Sequence, residues 1–241
     1  MVEITKEYQE IKIFCDSASI QDMEDYVGNG KIQGFTSNPT LARNAGIKDY
    51  LEFAHKAAET CGDKEISIEV IADDNLSMIR QGLLLSQIRE NISVKIPVTN
   101  SKGISTNEVI RALVSEGCYL NVTAVFSFSQ SKLVLEAMEN AERGILSIFA
   151  GRIADTGIDP IPHVVHVTKM RDELSPKIAV LWASPREPLN LIHAIQSKAD
   201  IITMTPTLIK KVENFGKDLD QYSLETVQMF TKDALDSGFQ L

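Results

Sequence analysis

Eight short apolar or β-branched runs recur along this chain, most of them followed by a longer amphipathic stretch. That alternation constrains the fold more than any other feature. The runs are Ile11–Cys15, Gly34–Thr36, Ile66–Val70, Ser93–Ile96, Tyr119–Val125, Ile145–Ala150, Ile178–Ala183 and Ile201–Met204. Between and after them, helix-like segments cover 22–27, 49–60, 74–90, 106–115, 129–143, 160–174, 187–194 and 206–213. Asp74 and Thr106 stand where N-caps are expected. The gaps are too long for hairpins and suit right-handed crossovers between parallel strands. Eight such units predict a single closed (β/α)8 barrel over residues 1–216. An open doubly wound sheet would put a glycine-rich turn after its first strand, and Cys15-Asp16-Ser17-Ala18-Ser19 contains no glycine. Residues 217–241 place Leu219, Leu224, Val227, Phe230 and Leu235 on one helical stripe. This extra C-terminal helix is expected to close the barrel bottom, cover its mouth or pack on a neighbouring subunit.

The bulk numbers narrow the function classes. With 241 residues, 44% of them hydrophobic and 24% charged, the chain has ordinary globular composition for one α/β domain. A formal net charge of -9 argues against nucleic acid as a partner. The N-terminal segment carries acids and no long apolar core, so it does not read as a signal peptide. No stretch approaches the ~18 apolar residues of a membrane span. Cys15, Cys61 and Cys118 are odd in number and widely spaced, which suits reduced thiols and a cytoplasmic location. His163 and His166, three apart on an expected helix, lack further ligands in any metal motif and read as a helix face near the surface.

Lys95 is the most informative single residue. It sits in Ser-Val-Lys-Ile-Pro-Val-Thr, near the end of an apolar run. On a half-exposed strand it is a surface lysine. Inside a barrel it is something else, because an amine taken out of water loses its proton more readily and attacks carbonyls. In a barrel the active-site groups sit at the C-terminal strand ends. Those ends carry Asp16, Thr36-Ser37-Asn38-Pro39, Glu69, Lys95, Asn121 with Thr123, Ser147 with Gly151-Arg152, Ser184 with Arg186, and Thr203 with Thr205.

Each has a bland alternative. Asp16 can be an N-cap, Glu69 an outward residue on an edge, Asn38-Pro39 a turn, and Arg152 and Arg186 surface charges. Jointly the alternatives must explain polar residues on all eight strands, where a packed barrel wants Val, Ile or Leu. The pattern favours a polar, carbonyl-processing pocket. Asp16 and Glu69 suit proton transfer, one of them through a water held by Thr123. The two arginines suit an anionic sugar tail, with Ser184 adding a hydrogen bond. An iminium is its own electron sink, so no metal or organic cofactor is required.

The motifs together resemble the transaldolase family, including its short members similar to fructose 6-phosphate aldolase. The likeness runs from about Ile13 to Lys210. It rests on Phe-Cys-Asp-Ser, Gly-Phe-Thr-Ser-Asn-Pro-Thr, Ser-Ile-Glu-Val, Val-Lys-Ile-Pro-Val-Thr, Asn-Val-Thr-Ala-Val-Phe-Ser, Ser-Ile-Phe-Ala-Gly-Arg-Ile-Ala-Asp, Trp-Ala-Ser-Pro-Arg and Ala-Asp-Ile-Ile-Thr-Met-Thr-Pro in that order. The resemblance implies class I aldol chemistry. Lys95 would form a Schiff base with a ketose C2, Asp16 would take and return the C4 hydroxyl proton, and Glu69 with Thr123 would position a water. Asn38, Asn121 and Ser147 would hold a dihydroxyacetone unit, Thr36 would line the same region, and Arg152, Ser184 and Arg186 would bind the terminal phosphate. It also implies a homo-oligomer built with exchanged C-terminal helices.

Glu69 and Phe149 are transaldolase-like, where the short aldolases carry Gln and Tyr. Ala183-Ser184-Pro185-Arg186-Glu187 departs from the family's Ala-Ser-Phe-Arg-Asn. Pro185 removes an amide donor and Glu187 adds a negative charge beside the expected anion pocket. A sulfonated ketose therefore stands beside sugar phosphate as the substrate. Simple aldol cleavage and a non-catalytic sugar-phosphate-binding barrel complete the alternatives.

Overall fold

The structure, a computed structural model, describes residues 11–240. The acidic segment Met1–Glu10, on which the signal-peptide reading rests, and Leu241 lie outside the described residues. Eight parallel strands close into a barrel in chain order: β1 Lys12–Asp16, β2 Gly34–Thr36, β3 Glu65–Glu69, β4 Ile92–Pro97, β5 Leu120–Val125, β6 Gly144–Ile148, β7 Ile178–Trp182 and β8 Ile201–Met204. Around them run α1 Ile20–Val27, α2 Pro39–Asn44, α3 Tyr50–Thr60, α4 Asn75–Ser86, α5 Asn107–Ser115, α6 Phe128–Ala137, α7 Ala150–Asp155, α8 Pro160–Leu174, α9 Asn190–Gln196 and α10 Pro206–Val212, with α11 Leu219–Ser237 beyond the barrel.

The differences from the sequence reading are local and have identifiable causes. Asn38 does not close a simple turn. Its carboxamide accepts from the Leu41 amide and starts α2, with Pro39 in the first turn. Strand β6 stops at Ile148 rather than Ala150, because Phe149 begins the turn into α7. Asp74 caps α4 through the Ser77 amide as expected. Thr106 makes no such side-chain cap: its hydroxyl donates to the Pro97 carbonyl at 2.5 Å, tying α5 to the end of β4. Asp16 is not an N-cap either, since Ser19 supplies the oxygen that accepts from the Asp22 amide.

Alternation along the strands divides the molecule into two layers. Cys15, Leu146, Val180, Trp182 and Ile202 join the core between barrel and helices. Their neighbours Phe14, Ile145, Leu181 and Ile201 form a separate apolar cluster. They are the inward set of β1, β6, β7 and β8. Phe14 occupies the space beside Gly34, where a Cβ would come within 2.7 Å of its ring. The inward positions of β3, β4 and β5 are polar instead: Glu65, Ser67, Ser93, Lys95, Asn121 and Thr123. A register shift between Val122 and Val125, with Ala124 at φ 58°, bulges β5 as it reaches the barrel mouth.

Helix α11 has no buried residue, and Leu224, Val227 and Phe230 are all exposed. Its apolar stripe is thus left open by the barrel of its own chain. No helix among the described residues is long and apolar enough to cross a membrane. All three cysteines are buried and unpaired, and burial pushes the thiols of Cys15 and Cys61 up to about 12. His163 stacks on Phe128 at 4.1 Å between ring centroids, with His166 edge-on to the same ring.

Candidate active site

Strand register builds the centre of the site. Glu69 lies beside Lys95, and Lys95 beside Asn121, across β3, β4 and β5. All three point inward because they share the parity of the polar interior set. The Lys95 side chain is only 8% exposed. Its Nζ donates to the Ser37 carbonyl at 2.8 Å and lies 3.3 Å from the Glu69 carboxylate. Ser37 can offer that carbonyl because its own amide and hydroxyl are both turned to the Ser67 carbonyl. A buried amine beside a carboxylate, at the C-terminal end of a barrel strand, has a proton acceptor within reach.

Across the mouth, β1 ends at Asp16. The Thr36 hydroxyl donates to its Oδ1 at 2.7 Å. That uses the only proton of Thr36, so in the 2.5 Å contact between Thr36 and Thr203 it is Thr203 that donates. Burial pushes the Asp16 carboxyl above the usual carboxylate range, against the opposing pull of Lys95 and the Thr36 hydrogen bond. Asp16 and Lys95 therefore feel each other's charge.

Asn121 and Ser147 are joined as well: the Ser147 hydroxyl donates to Asn121 Oδ1 at 2.6 Å, and both are buried. Thr123 is buried in β5 one pleat nearer the mouth, beside Pro97. Asn38 is half-buried at the start of α2, its carboxamide oxygen engaged by Leu41.

The groups expected at the anionic end lie on the turns after β6 and β7. Those turns touch at Gly151, whose amide donates to the Ala183 carbonyl at 3.3 Å. A Cβ on Gly151 would stand 1.6 Å from the Ser184 carbonyl oxygen, so no larger residue fits without moving the backbone. Ser184 itself sits at φ 60°, in the left-handed region. Phe149 packs its ring on Phe126, and the Arg152 guanidinium lies 5.5 Å above the Phe149 ring. Arg186 does not stand free. Both oxygens of Asp155 are taken by its guanidinium, which holds the Asp155 carboxyl below the usual range. The backbone amides of Arg186 and Glu187 both donate to the Asn190 carboxamide oxygen.

A model of the family described as Transaldolase/Fructose-6-phosphate aldolase matches residues 13–241. The chain belongs to this family. A protein named probable transaldolase from Hyphomonas neptunium is 32% identical over 233 residues, covering 96% of this chain and all of the relative. Another, from Novosphingobium aromaticivorans, is 33% identical over 202 residues and covers 83% and 88% of the two chains. Among solved structures, dihydrodipicolinate synthase from Thermotoga maritima overlays with a TM-score of 0.59 at 7% identity, covering 94% of this chain and 84% of its own. That likeness speaks for the barrel alone. Membership makes this chain an enzyme of the transaldolase/fructose-6-phosphate aldolase family.

Some residues of the site were not singled out from sequence. The Ser37 carbonyl that holds Lys95 is a backbone group, which side-chain identity does not reveal. Asp155, the partner of Arg186, sits in an ordinary helix end. Glu65, Ser67 and Ser93 did carry a signal. They extend the polar parity of Glu69 and Lys95 back along β3 and β4.

Proposed function

We propose that this chain is a class I transaldolase. It moves a dihydroxyacetone unit from a ketose phosphate, of the fructose 6-phosphate or sedoheptulose 7-phosphate type, to an aldose phosphate through a Schiff base on Lys95. The observation that carries the reading is the buried Lys95 amine beside the Glu69 carboxylate, with Asp16 in electrostatic reach. Glu69, helped by a water at Thr123, relieves Lys95 Nζ of its proton, and the amine adds to the ketose C2. Loss of water gives the iminium. Asp16 then takes the C4 hydroxyl proton, the C3–C4 bond breaks, and its electron pair runs into the iminium to leave an enamine. The aldehyde departs, an aldose phosphate takes its place, and the steps reverse. Asn38, Asn121 and Ser147 hold the dihydroxyacetone part and Thr36 orients Asp16. Phe149 gives the enamine no acidic hydroxyl, which favours transfer over release.

The test is the intact mass after incubation with fructose 6-phosphate and borohydride, followed by peptide mapping. A reduced adduct on Lys95 is expected, three-carbon where cleavage has occurred, and turnover is expected to need an aldose acceptor. No adduct on Lys95 with either sugar phosphate refutes this reading; release without acceptor makes the chain a simple aldolase.

One observation favours a second reading of the anion. Arg152 and Arg186 supply two positive charges and Asp155 removes one. A phosphate monoester brings roughly -1.5 to -2 at pH 7, whereas a sulfonate brings one charge and matches the remainder. A 6-deoxy-6-sulfo ketose therefore competes with the phosphate for this end. Asp155→Asn is expected to lower the KM for fructose 6-phosphate about threefold, the size of an exposed ion-pair effect, and to change that for the sulfo-sugar less. An unchanged phosphate KM would remove Arg186 from the anion site.

The same reading places the enzyme in the cytoplasm, where buried, unpaired thiols persist, and gives the exposed stripe of α11 to a second copy of the chain. Phe230→Glu is expected to lower the mass in solution, measured by light scattering. A wild-type monomer would leave α11 without that role.

A further inference from the structure

The polar half of the barrel interior is a continuous chain of hydrogen bonds running from the floor to the site. At the floor, Tyr119 Oη donates to Glu65 Oε2 at 2.6 Å, and Ser93 Oγ donates to Glu65 Oε1 at 2.9 Å. Ser93 and Ser67 are 2.7 Å apart, Asn121 Nδ2 donates to Ser67 Oγ at 3.0 Å, and Ser147 Oγ donates to Asn121 Oδ1 at 2.6 Å. Ser67, Ser93, Asn121 and Ser147 are all buried. Glu65, Tyr119 and Arg143 line a concavity of about 420 Å³ on the N-terminal face, opposite the mouth.

Proton counting fixes the direction of this chain. Both oxygens of Glu65 are taken as acceptors, one by Tyr119 and the other by Ser93, so Ser93 donates to Glu65. Ser93 has one proton, so Ser67 must donate to Ser93. Ser67 then accepts from the Asn121 amide, which turns Asn121 Oδ1 toward Ser147 and claims the Ser147 proton. Every donor points down the barrel toward Glu65. We propose that Glu65 is a positioning residue for the reaction: as a carboxylate at the barrel floor it orients the Asn121 carboxamide and leaves Ser147 Oγ only lone pairs to offer the substrate. Ser147 thus accepts a hydrogen bond from a substrate hydroxyl and is prevented from donating one. Burial pushes the Glu65 carboxyl above the usual carboxylate range, opposed by the hydrogen bonds from Tyr119 and Ser93 and by the charges of Lys12 and of Arg143, whose guanidinium lies 4.2 Å over the Tyr119 ring.

This inference rests on the reading that Asn121 and Ser147 hold the dihydroxyacetone part, so the test first requires a borohydride-trapped Lys95 adduct in the wild type. Its absence would remove that reading and this one with it. Glu65→Gln keeps the shape and removes the fixed direction, because an amide both donates and accepts. Ser93→Ala cuts the chain while leaving Glu65 with Tyr119. With each variant trapping the adduct, KM for fructose 6-phosphate is expected to rise about five- to tenfold while kcat stays within about twofold, as for loss of one buried hydrogen bond made equally in ground and transition states. The double variant is expected to match the singles rather than multiply them. An unchanged KM in a folded Glu65→Gln that traps the adduct overturns the proposal, as does full multiplication of the two effects. If Glu65→Gln fails to fold, Ser93→Ala decides alone, and an unchanged KM there overturns it equally.

Discussion

Lys95→Ala is expected to fold and to lose turnover by on the order of 10⁴-fold or more, the scale seen when a covalent nucleophile is removed. Among the described residues Lys95 is the only buried lysine, and the partly buried Lys64 spends its Nζ on the Asn29 and Ile32 carbonyls. Removing the Lys95 side chain leaves the Ser37 carbonyl and the Glu69 carboxylate without their shared donor. A buried carboxylate stripped of its partner is destabilising by several kcal/mol in a sealed core. Here Glu69 keeps 17% of its side chain exposed, so water can replace the ammonium and most of that cost is avoided. A melting curve and a borohydride trap on the same sample separate the cases. A folded variant with neither turnover nor adduct is the expected result. Appreciable turnover would end the assignment of Lys95 as the Schiff-base residue. Lys95→Arg sharpens the test: a guanidinium can hold Glu69 and Ser37 but forms no imine, so restored stability without restored turnover separates charge from chemistry.

The architecture was legible in sequence because it depends on periodicity, which survives without side-chain detail. All eight runs became strands with ends shifted by no more than two residues, and Gly34–Thr36 and Ile201–Met204 match outright. The two short helices α2 and α7 were not legible, since each is a single cap and a turn. Asn38-Pro39 reads equally as a turn, and Phe149-Ala150 continues an apolar run. The polar strand ends converge because barrel closure brings every C-terminal end to one mouth. Thus Lys95 meets Glu69 by register, and Ser147 reaches Asn121 from two residues beyond its register partner Ile145. What sequence withholds is pairing. Arg186 reads as an anion clamp by its place after β7, and only the fold brings it to Asp155. Glu65 sits a full strand length from the mouth, where strand-end reasoning does not look, although its parity with Glu69 was in view. Hydrogen bonds carry a requirement at the floor to the mouth, and composition of the mouth alone does not record it.

Asp16→Asn is expected to slow cleavage by roughly 10²- to 10⁴-fold, the usual contribution of a positioned acid or base, while still allowing the imine to form. The carboxamide keeps the shape and can accept from Thr36, as Asp16 Oδ1 does now, but it cannot take the C4 hydroxyl proton. Uncleaved ketose should therefore accumulate on Lys95 and appear after reduction as a full-length adduct in place of the three-carbon one. The same change should stabilise the fold, with a definite pH dependence. The Asp16 carboxyl is held above its ordinary value, chiefly by burial. Its neutral form is thus favoured by the folded state. The stabilising contribution is complete below the unfolded value and is lost as pH rises through the folded one. Wild type should consequently lose stability relative to Asp16→Asn across that interval, with the variant melting higher at pH 7 and the gap closing toward pH 4. Loss of the attraction to Lys95 works in the opposite direction and is the smaller effect, because burial dominates the shift. Unchanged turnover in Asp16→Asn would remove Asp16 as the proton acceptor. Equal melting at both pH values would mean that the surroundings do not raise the Asp16 carboxyl, and that the site does not trade stability for a stronger base at the C4 hydroxyl.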